Sequence, residues 1–254
     1  MKLTEKEHEA RGMLCLPLDN IETLTQLSLR LSSLSPVVGL FKNGKGTFTR
    51  FGPDSIKIIH EYGAKTFLDL KYHDIPNTVR DAARAASELG VYMFNVHASG
   101  GLDMMRAAYI GAKEGAEKYG HKMPKIVGVT VLTSIDDKIL NNELKIPGTV
   151  KEKVLDLALL TYQAGLDGIV CSASDLSYIK SQMPKDRNFI YVTPGIQGVN
   201  TQAGADQKRV YSPGEAVRDG SNVLVVGRAI TGQKTAEGKL KAGYEILQDM
   251  AKYL

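Results

Sequence analysis

The chain has 254 residues, of which 43% are hydrophobic and 24% are charged, and its formal net charge is +4. This length and composition provide a sizeable hydrophobic core and exclude a disordered chain. The sequence contains no lysine-arginine run that would indicate nucleic-acid binding. Its small positive net charge suits an anionic small-molecule ligand.

The cysteine content and the N-terminal residues indicate the cellular compartment. Cys15 and Cys171 are the two cysteines, and both fall in predicted strands, so a disulfide framework is not expected. Residues 1–11 are charged and lack the apolar segment of a signal peptide. No apolar run approaches the roughly 20 residues that span a bilayer. We therefore expect a soluble, cytoplasmic protein that binds neither membrane nor nucleic acid.

Short apolar or β-branched runs alternate with helical patterns from one end of the chain to the other. The predicted strands are residues 13–18, 37–41, 65–71, 93–97, 125–130, 168–171, 189–193 and 222–226. The predicted helices are residues 21–31, 53–62, 76–89, 101–119, 150–164, a short helix from 175, 213–219 and 235–253.

Eight βα units with continuous apolar strands are typical of a parallel sheet that is covered on both faces. Right-handed crossovers close such a sheet into a (β/α)8 TIM barrel. We therefore predict an α/β fold in which residues 1–254 form a single barrel domain. The alternative is a doubly wound open sheet, but no Gly-x-Gly-x-x-Gly follows the first strand.

Charged residues cluster at the end of the third predicted strand. Side chains alternate between the two faces of a strand, so Asp69 and Lys71 are predicted to share one face. Asp74 follows in the turn, and Pro76 suits the first turn of the next helix. The C-terminal ends of strands carry the chemistry of barrel enzymes, so this segment is the candidate active site.

Lys42, after the second predicted strand, completes an alternating charge network with Asp69, Lys71 and Asp74. A lysine between two carboxylates stays protonated, so Lys71 is interpreted as a proton donor and not as a Schiff-base nucleophile. The two carboxylates are suitable ligands for Mg²⁺, but the ammonium between them opposes a divalent cation, and no metal is predicted. The alternative is a structural ion-pair cluster that closes the top of the barrel.

A phosphate site is predicted after the eighth strand. Loops after strands seven and eight commonly bind phosphate in these barrels. Gly227 allows close backbone approach, the next helix offers N–H groups, and Arg228 offers a bidentate fork. Residues 195–209 form a long polar loop that could close over a ligand. The alternative for Arg228 is an ordinary surface arginine.

The pattern Asp-x-Lys-x-x-Asp-Ile-Pro-x-Thr at residues 69–78 resembles the signature of the orotidine 5′-monophosphate decarboxylase family. Other segments resemble the family's landmarks in the same order along nearly the whole chain: residues 18–19, 42–53, 96–101, 129–134, 193–196 and 227–228. The resemblance implies a (β/α)8 barrel that converts orotidine 5′-monophosphate to uridine 5′-monophosphate, the last step of de novo UMP biosynthesis. It implies no metal and no cofactor.

The resemblance also implies a role for each matching residue. Lys71 would protonate C6, with Asp69 against the substrate carboxylate and with Asp74 and Lys42 in the charge network. The implied substrate-binding residues are Asp19, Lys42, Ile75, Thr78, Thr133, Pro194, Gln202, Gly227 and Arg228. Gln197 stands where many bacterial relatives have arginine, so Gln197, Gln202 and Gln207 all stay candidates for bridging phosphate and base.

A homodimer with shared active sites is a further implication of the resemblance. Asp74, Ile75 and Thr78 would reach into the site of the neighbouring subunit. No pyridoxal or thiamine site that could serve as an electron sink is recognisable in the sequence. The expected catalysis therefore depends on fixed charges.

Two other functions remain open from the residues. Keto-gulonate phosphate decarboxylase and hexulose phosphate synthase have a similar Asp-x-Lys-x-x-Asp motif and use Mg²⁺ and sugar phosphates. Ile75, Pro76, Thr78 and the Thr133 position resemble the pyrimidine-nucleotide members instead. A non-catalytic phosphate-binding barrel would leave the charge network without a task.

Overall fold

The computed structural model describes residues 2–199 and 211–254. Its eight strands are neighbours in chain order in a closed barrel, which confirms the predicted (β/α)8 fold class. The strands are β1 Leu14–Pro17, β2 Leu40–Gly44, β3 Lys65–Tyr72, β4 Met93–His97, β5 Lys125–Val129, β6 Gly168–Val170, β7 Ile190–Pro194 and β8 Val223–Val225.

One helix precedes β1, and the other helices of the described residues follow the strands along the chain. They are α1 Glu5–Met13, α2 Leu24–Leu34, α3 Lys45–Phe51, α4 Pro53–Glu61, α5 Pro76–Glu88, α6 Gly101–Tyr119, α7 Val150–Gln163, α8 Leu176–Gln182, α9 Pro213–Arg218, α10 Arg228–Thr231 and α11 Ala236–Ala251. Among the described residues, no helix is long and apolar enough to cross a membrane.

The chain divides into two compact units, and the first comprises Met1–Asp69 with Thr193–Leu254. In this unit β1 pairs with β2 and with β8, so that Cys15 faces Leu40 on one side and Val225 on the other. All four residues of β1 are buried. The prediction that residues 1–254 form a single domain stays a prediction.

The second unit, Leu70–Val192, is built on the parallel order β4-β5-β6-β7. Helices α5 and α6 pack closely against each other. Gly111 makes this approach possible, because a Cβ atom there would lie 2.0 Å from the Arg80 carbonyl oxygen. Gly128 in β5 likewise leaves space for the side chain of Thr161.

The prediction for the second strand was wrong in its bounds. β2 begins at Leu40, and Lys42 lies inside it. The backbone N–H groups of Val37 and Val38 both donate to the Leu34 carbonyl, so these two residues complete the end of α2 instead. Helix α3 begins directly after Gly44, in a segment to which no helix was assigned from the sequence.

Helix α1 was not predicted, because its residues are mostly polar and only Ala10 is buried. A local signal for it does exist in the sequence. The Thr4 N–H donates to the Glu7 carboxylate at 2.8 Å, and the Glu7 N–H donates to the Thr4 hydroxyl at 3.3 Å. This reciprocal capping box is readable as Thr-x-x-Glu.

We predict that Gly111→Ala lowers the free energy of unfolding by about 1–3 kcal/mol, since the added methyl group meets backbone of α5. Gly12→Ala in α1 is the matched control, because a Cβ atom there has nothing within 4 Å. The control should be neutral or stabilising by up to about 1 kcal/mol. Urea unfolding followed by circular dichroism measures both, and equal effects would contradict the close approach of α5 and α6.

Candidate functional site

Lys42 joins two carboxylates at the ends of neighbouring strands. Its Nζ lies 3.0 Å from Asp69 Oδ2 in β3 and 3.8 Å from Asp19 Oδ1 beyond β1. The side chains of Lys42 and Asp69 are 15% and 9% exposed, whereas that of Asp19 is 65% exposed. One end of this three-residue chain is therefore buried, and the other is open to solvent.

Burial and charge act in opposite directions on the Lys42 ammonium. Burial lowers the pKa of Lys42, but the carboxylates of Asp69 and Asp19 more than compensate, and the net pKa is raised above 10.5. Lys42 is thus a fixed cation at physiological pH. Cys15 lies in the neighbouring strand β1, and burial raises the pKa of its thiol so far that the thiol stays neutral.

Two hydrogen bonds from side chains hold the loop that carries Asp19 in place. The Thr47 hydroxyl donates to the Leu18 carbonyl, and the Arg30 guanidinium donates to the Asp19 carbonyl at 2.9 Å. A Cβ atom at Gly44 would lie 3.2 Å from Lys42 Nζ, so a side chain there would crowd the ammonium. Sequence reasoning missed Thr47, since residues 43–52 were assigned to no predicted strand or helix.

Lys71 lies near the end of β3 with a left-handed backbone, at φ +53°. Its N–H donates to Asn95 Oδ1 in β4 at 2.8 Å, and its side chain is partly buried. The prediction that Lys71 shares a face with Asp69 assumed extended backbone throughout, and that assumption is wrong at Lys71. Asn95 was missed because no local pattern links residues so far apart.

Three of the predicted residues lie together after β3 on an exposed surface. Asp74, Ile75 and Thr78 are all exposed, and Ile75 is 66% exposed in spite of its apolar side chain. Asp74 Oδ1 accepts a hydrogen bond from the Ile75 N–H at 2.7 Å. As predicted, α5 begins at Pro76.

The remaining predicted residues that the structure describes lie at or after the ends of β5, β7 and β8. Thr133 is exposed in the segment between β5 and α7 that also contains a π-helical turn. Pro194 ends β7, Gly227 follows β8 and is partly buried, and Arg228 is exposed at the start of α10. Gln202 lies outside the described residues, as does most of the predicted loop 195–209.

A Cβ atom at Gly227 would lie 3.2 Å from the ring of Pro17, so this glycine lets the loop pass close to β1. The Gly227 carbonyl accepts hydrogen bonds from the N–H groups of Ile230 and Thr231. Within residues 2–199 and 211–254, no group of three His, Cys, Asp or Glu side chains is arranged to hold a metal ion.

Charged residues at strand ends of an eight-stranded parallel barrel are typical of barrel enzymes. The profile of the "Orotidine 5'-phosphate decarboxylase / HUMPS family" matches residues 12–242. The chain therefore belongs to the orotidine 5′-phosphate decarboxylase / HUMPS family.

Individual relatives agree with the family match. The chain is 45% identical over 254 residues to the orotidine 5′-phosphate decarboxylase of Syntrophus aciditrophicus, covering 100% of this chain and 99% of that one. It is 46% identical over 201 residues to the enzyme of the same name from Vibrio cholerae, covering 79% and 84% respectively. The crystal structure of orotidine 5′-phosphate decarboxylase from Lactobacillus acidophilus is 36% identical with a TM-score of 0.80, covering 93% of this chain and 98% of that one.

We predict that Asp69→Asn destabilises the protein by about 1–3 kcal/mol near neutral pH, because the buried Lys42 ammonium loses its nearest carboxylate. The raised pKa of Lys42 contributes stability that is fully present below pH 10.5 and lost as the pH rises through the folded-state pKa. The difference in unfolding free energy between the wild type and the variant should therefore begin to shrink once the pH exceeds 10.5.

Urea unfolding from about pH 8 to about pH 11 measures this difference. Asp54→Asn is the control, since the Lys57–Asp54 pair is exposed on both sides, and its effect should stay within about 0.5 kcal/mol. A penalty for Asp69→Asn that does not change with pH would show that the ion pair is not its cause.

Proposed function

We propose that this chain is a carboxy-lyase that decarboxylates orotidine 5′-monophosphate to uridine 5′-monophosphate. The observation that carries the proposal is the 45% identity along the whole chain to a relative named as this decarboxylase. The motif residues Asp69, Lys71 and Asp74 and the Lys42–Asp69 ion pair support it further.

Loss of CO₂ from C6 of the pyrimidine leaves an electron pair on a vinylic carbon, with no adjacent carbonyl group to delocalise it. A fixed cation near that carbon stabilises the developing charge, and Lys71 then donates a proton to C6. Asp69 would lie against the substrate carboxylate. The breaking bond leaves its electrons on C6, CO₂ departs, and the Lys71 ammonium becomes a neutral amine.

Lys42 has two tasks in this proposal. It keeps Asp69 ionised and oriented through the 3.0 Å contact, and with Asp19 it would bind the ribose hydroxyls. Asp19 suits that contact because its carboxylate is largely exposed. The charges are held by the protein before the substrate arrives, so the site needs little reorganisation during the reaction.

Enzymes lower barriers by roughly 8–23 kcal/mol, and a single ion pair does not supply that amount. We propose that binding of the remote phosphate supplies part of it, through Arg228, Gly227, Pro194 and a glutamine of the following loop, which we assign to Gln202. Thr133 would contact the amide edge of the pyrimidine. Arg228 is exposed and so is accessible to a dianion.

The active form is proposed to be a homodimer in which each subunit completes the other's site. The apolar side chain of Ile75 is 66% exposed, and covering it with a second subunit would be favourable because apolar surface is removed from water. The neighbouring Asp74 and Thr78 are exposed on the same segment and would reach the partner's substrate.

Lys71→Ala should abolish turnover while the barrel still folds, because the proton donor is removed. The assay follows the loss of orotidylate absorbance with purified protein in excess EDTA, and circular dichroism checks the fold. Lys145→Ala is a matched control, since Lys145 is another lysine with positive φ, at +58°, and should keep full activity.

Near-normal activity of Lys71→Ala would refute the proton-donor role. Turnover of a sugar phosphate that depends on Mg²⁺, with none of orotidylate, would assign the chain to the other branch of its family. Turnover of neither substrate would leave a binding protein.

The shared site predicts complementation between two inactive variants. A mixture of Lys71→Ala and Asp74→Asn chains, refolded together, should recover up to about a quarter of wild-type activity, because half of the dimers carry one intact site. Each variant alone should be inactive in the same assay.

A mixture of Lys71→Ala with Asp69→Asn is the matched control, since both groups would serve their own subunit and no intact site can form. Equal recovery in the two mixtures, or recovery in neither, would argue against a site shared through Asp74.

A further inference from the structure

The backbone of Lys71 has a conformation that its own side chain does not favour. Among the described residues, Asn20, Lys71 and Lys145 are the non-glycine residues with positive φ. The Cβ atom of an L-residue crowds the following carbonyl in this region. Asparagine tolerates it through local hydrogen bonds of its short side chain, but lysine has no such group. The conformation of Lys71 therefore depends on contacts with other parts of the chain.

Asn95 provides a directional contact to this backbone. Its Oδ1 accepts the Lys71 N–H at 2.8 Å, and the residue is only 1% exposed. Asn95 lies in the middle of β4, where it is in register with Val127 of β5. The pairing of β4 with β5 thus fixes the backbone that carries the amide, and a hydrogen bond of this length requires the Lys71 N–H to point at the amide oxygen.

The two residues after Lys71 also contact β4. The Tyr72 ring lies 6.0 Å from the ring of Phe94, and the His73 ring lies 5.2 Å from that of His97. Ring contacts of this kind allow several orientations, whereas the hydrogen bond from the Lys71 N–H restricts the backbone. Of these contacts, the one from Asn95 therefore orients the residue that carries the ammonium.

We propose that Asn95 is a positioning residue, which holds the backbone of Lys71 in the left-handed conformation and so directs its ammonium at the reacting carbon. This inference rests on the proposed function, in which Lys71 is the proton donor. A displacement of about 1 Å of a reacting group can cost 10²-fold in rate, so an error in the backbone of Lys71 affects catalysis more than binding.

The kinetic test compares Asn95→Ala with Asn95→Asp. Asn95→Ala should lower kcat by about 10- to 100-fold, because the ammonium is misplaced. Its KM should stay within about 3-fold, since the groups that bind phosphate and ribose are elsewhere. Asn95→Asp keeps an acceptor oxygen in either protonation state, so its kcat should stay within about 10-fold of the wild type.

Ser87→Ala is the control for the loss of a buried hydrogen bond. The Ser87 hydroxyl is fully buried and donates to the Ala112 carbonyl at 2.7 Å, so its loss should lower Tm without changing kcat. If Asn95→Ala has the kcat of Ser87→Ala, or loses activity through KM alone, the positioning role is overturned.

A stability cycle tests the same contact without using activity. Asn95→Ala should lower Tm by about 2–6 °C in the wild type. The loss should be clearly smaller in Lys71→Gly, because glycine adopts positive φ without steric cost and no longer depends on the amide. In Lys145→Gly, which relieves an equivalent φ of +58° elsewhere, the loss should stay at its full size.

An equal Tm loss in all three backgrounds would overturn the inference. Because the cycle measures stability alone, it decides the contact between Asn95 and Lys71 even if Lys71→Ala stayed active and the proposed function failed.

Discussion

Burial desolvates the Lys42–Asp69 ion pair, and the groups next to it offset the free-energy cost of that desolvation. An isolated ammonium in a buried position would lose its proton, and an isolated carboxylate would gain one. At 3.0 Å each group keeps the other charged, and Asp19 adds a second, solvent-facing carboxylate. Gly44 leaves room for the ammonium, and Thr47 fixes the loop that carries Asp19. The pair therefore depends on β2, β3 and the first loop together.

Most of the fold was predictable, because a buried parallel strand requires a continuous apolar run and each helix repeats one apolar face. The errors have physical causes. Val37 and Val38 are fully buried at the end of a helix. Because both are apolar and β-branched, they resemble strand residues in the sequence. Helix α1 depends on its capping box and on polar residues, and hydrophobic periodicity does not reveal such a helix.

The proximity of charged residues at the strand ends was more predictable than their geometry. Lys42 and Asp69 were named from strand ends and Asp19 from the family resemblance, and the structure brings these three side chains together. The left-handed backbone of Lys71 was not predictable, since it accompanies a hydrogen bond from the Lys71 N–H to an amide oxygen 24 residues away. Alternation along a strand assumes extended backbone, and the assumption failed at the residue for which it mattered most.

The burial of the two thiols has a practical consequence. Cys15 and Cys171 are both free and buried, and burial raises the pKa of each, so neither supplies a thiolate in the folded chain. A thiol-specific reagent therefore meets reactive cysteine only when the chain opens. Cys15 lies in β1 and Cys171 directly follows β6, so the alkylation rate of each would report the opening of a different unit. The native cysteines thus serve as two internal probes of local unfolding, and no added label is needed.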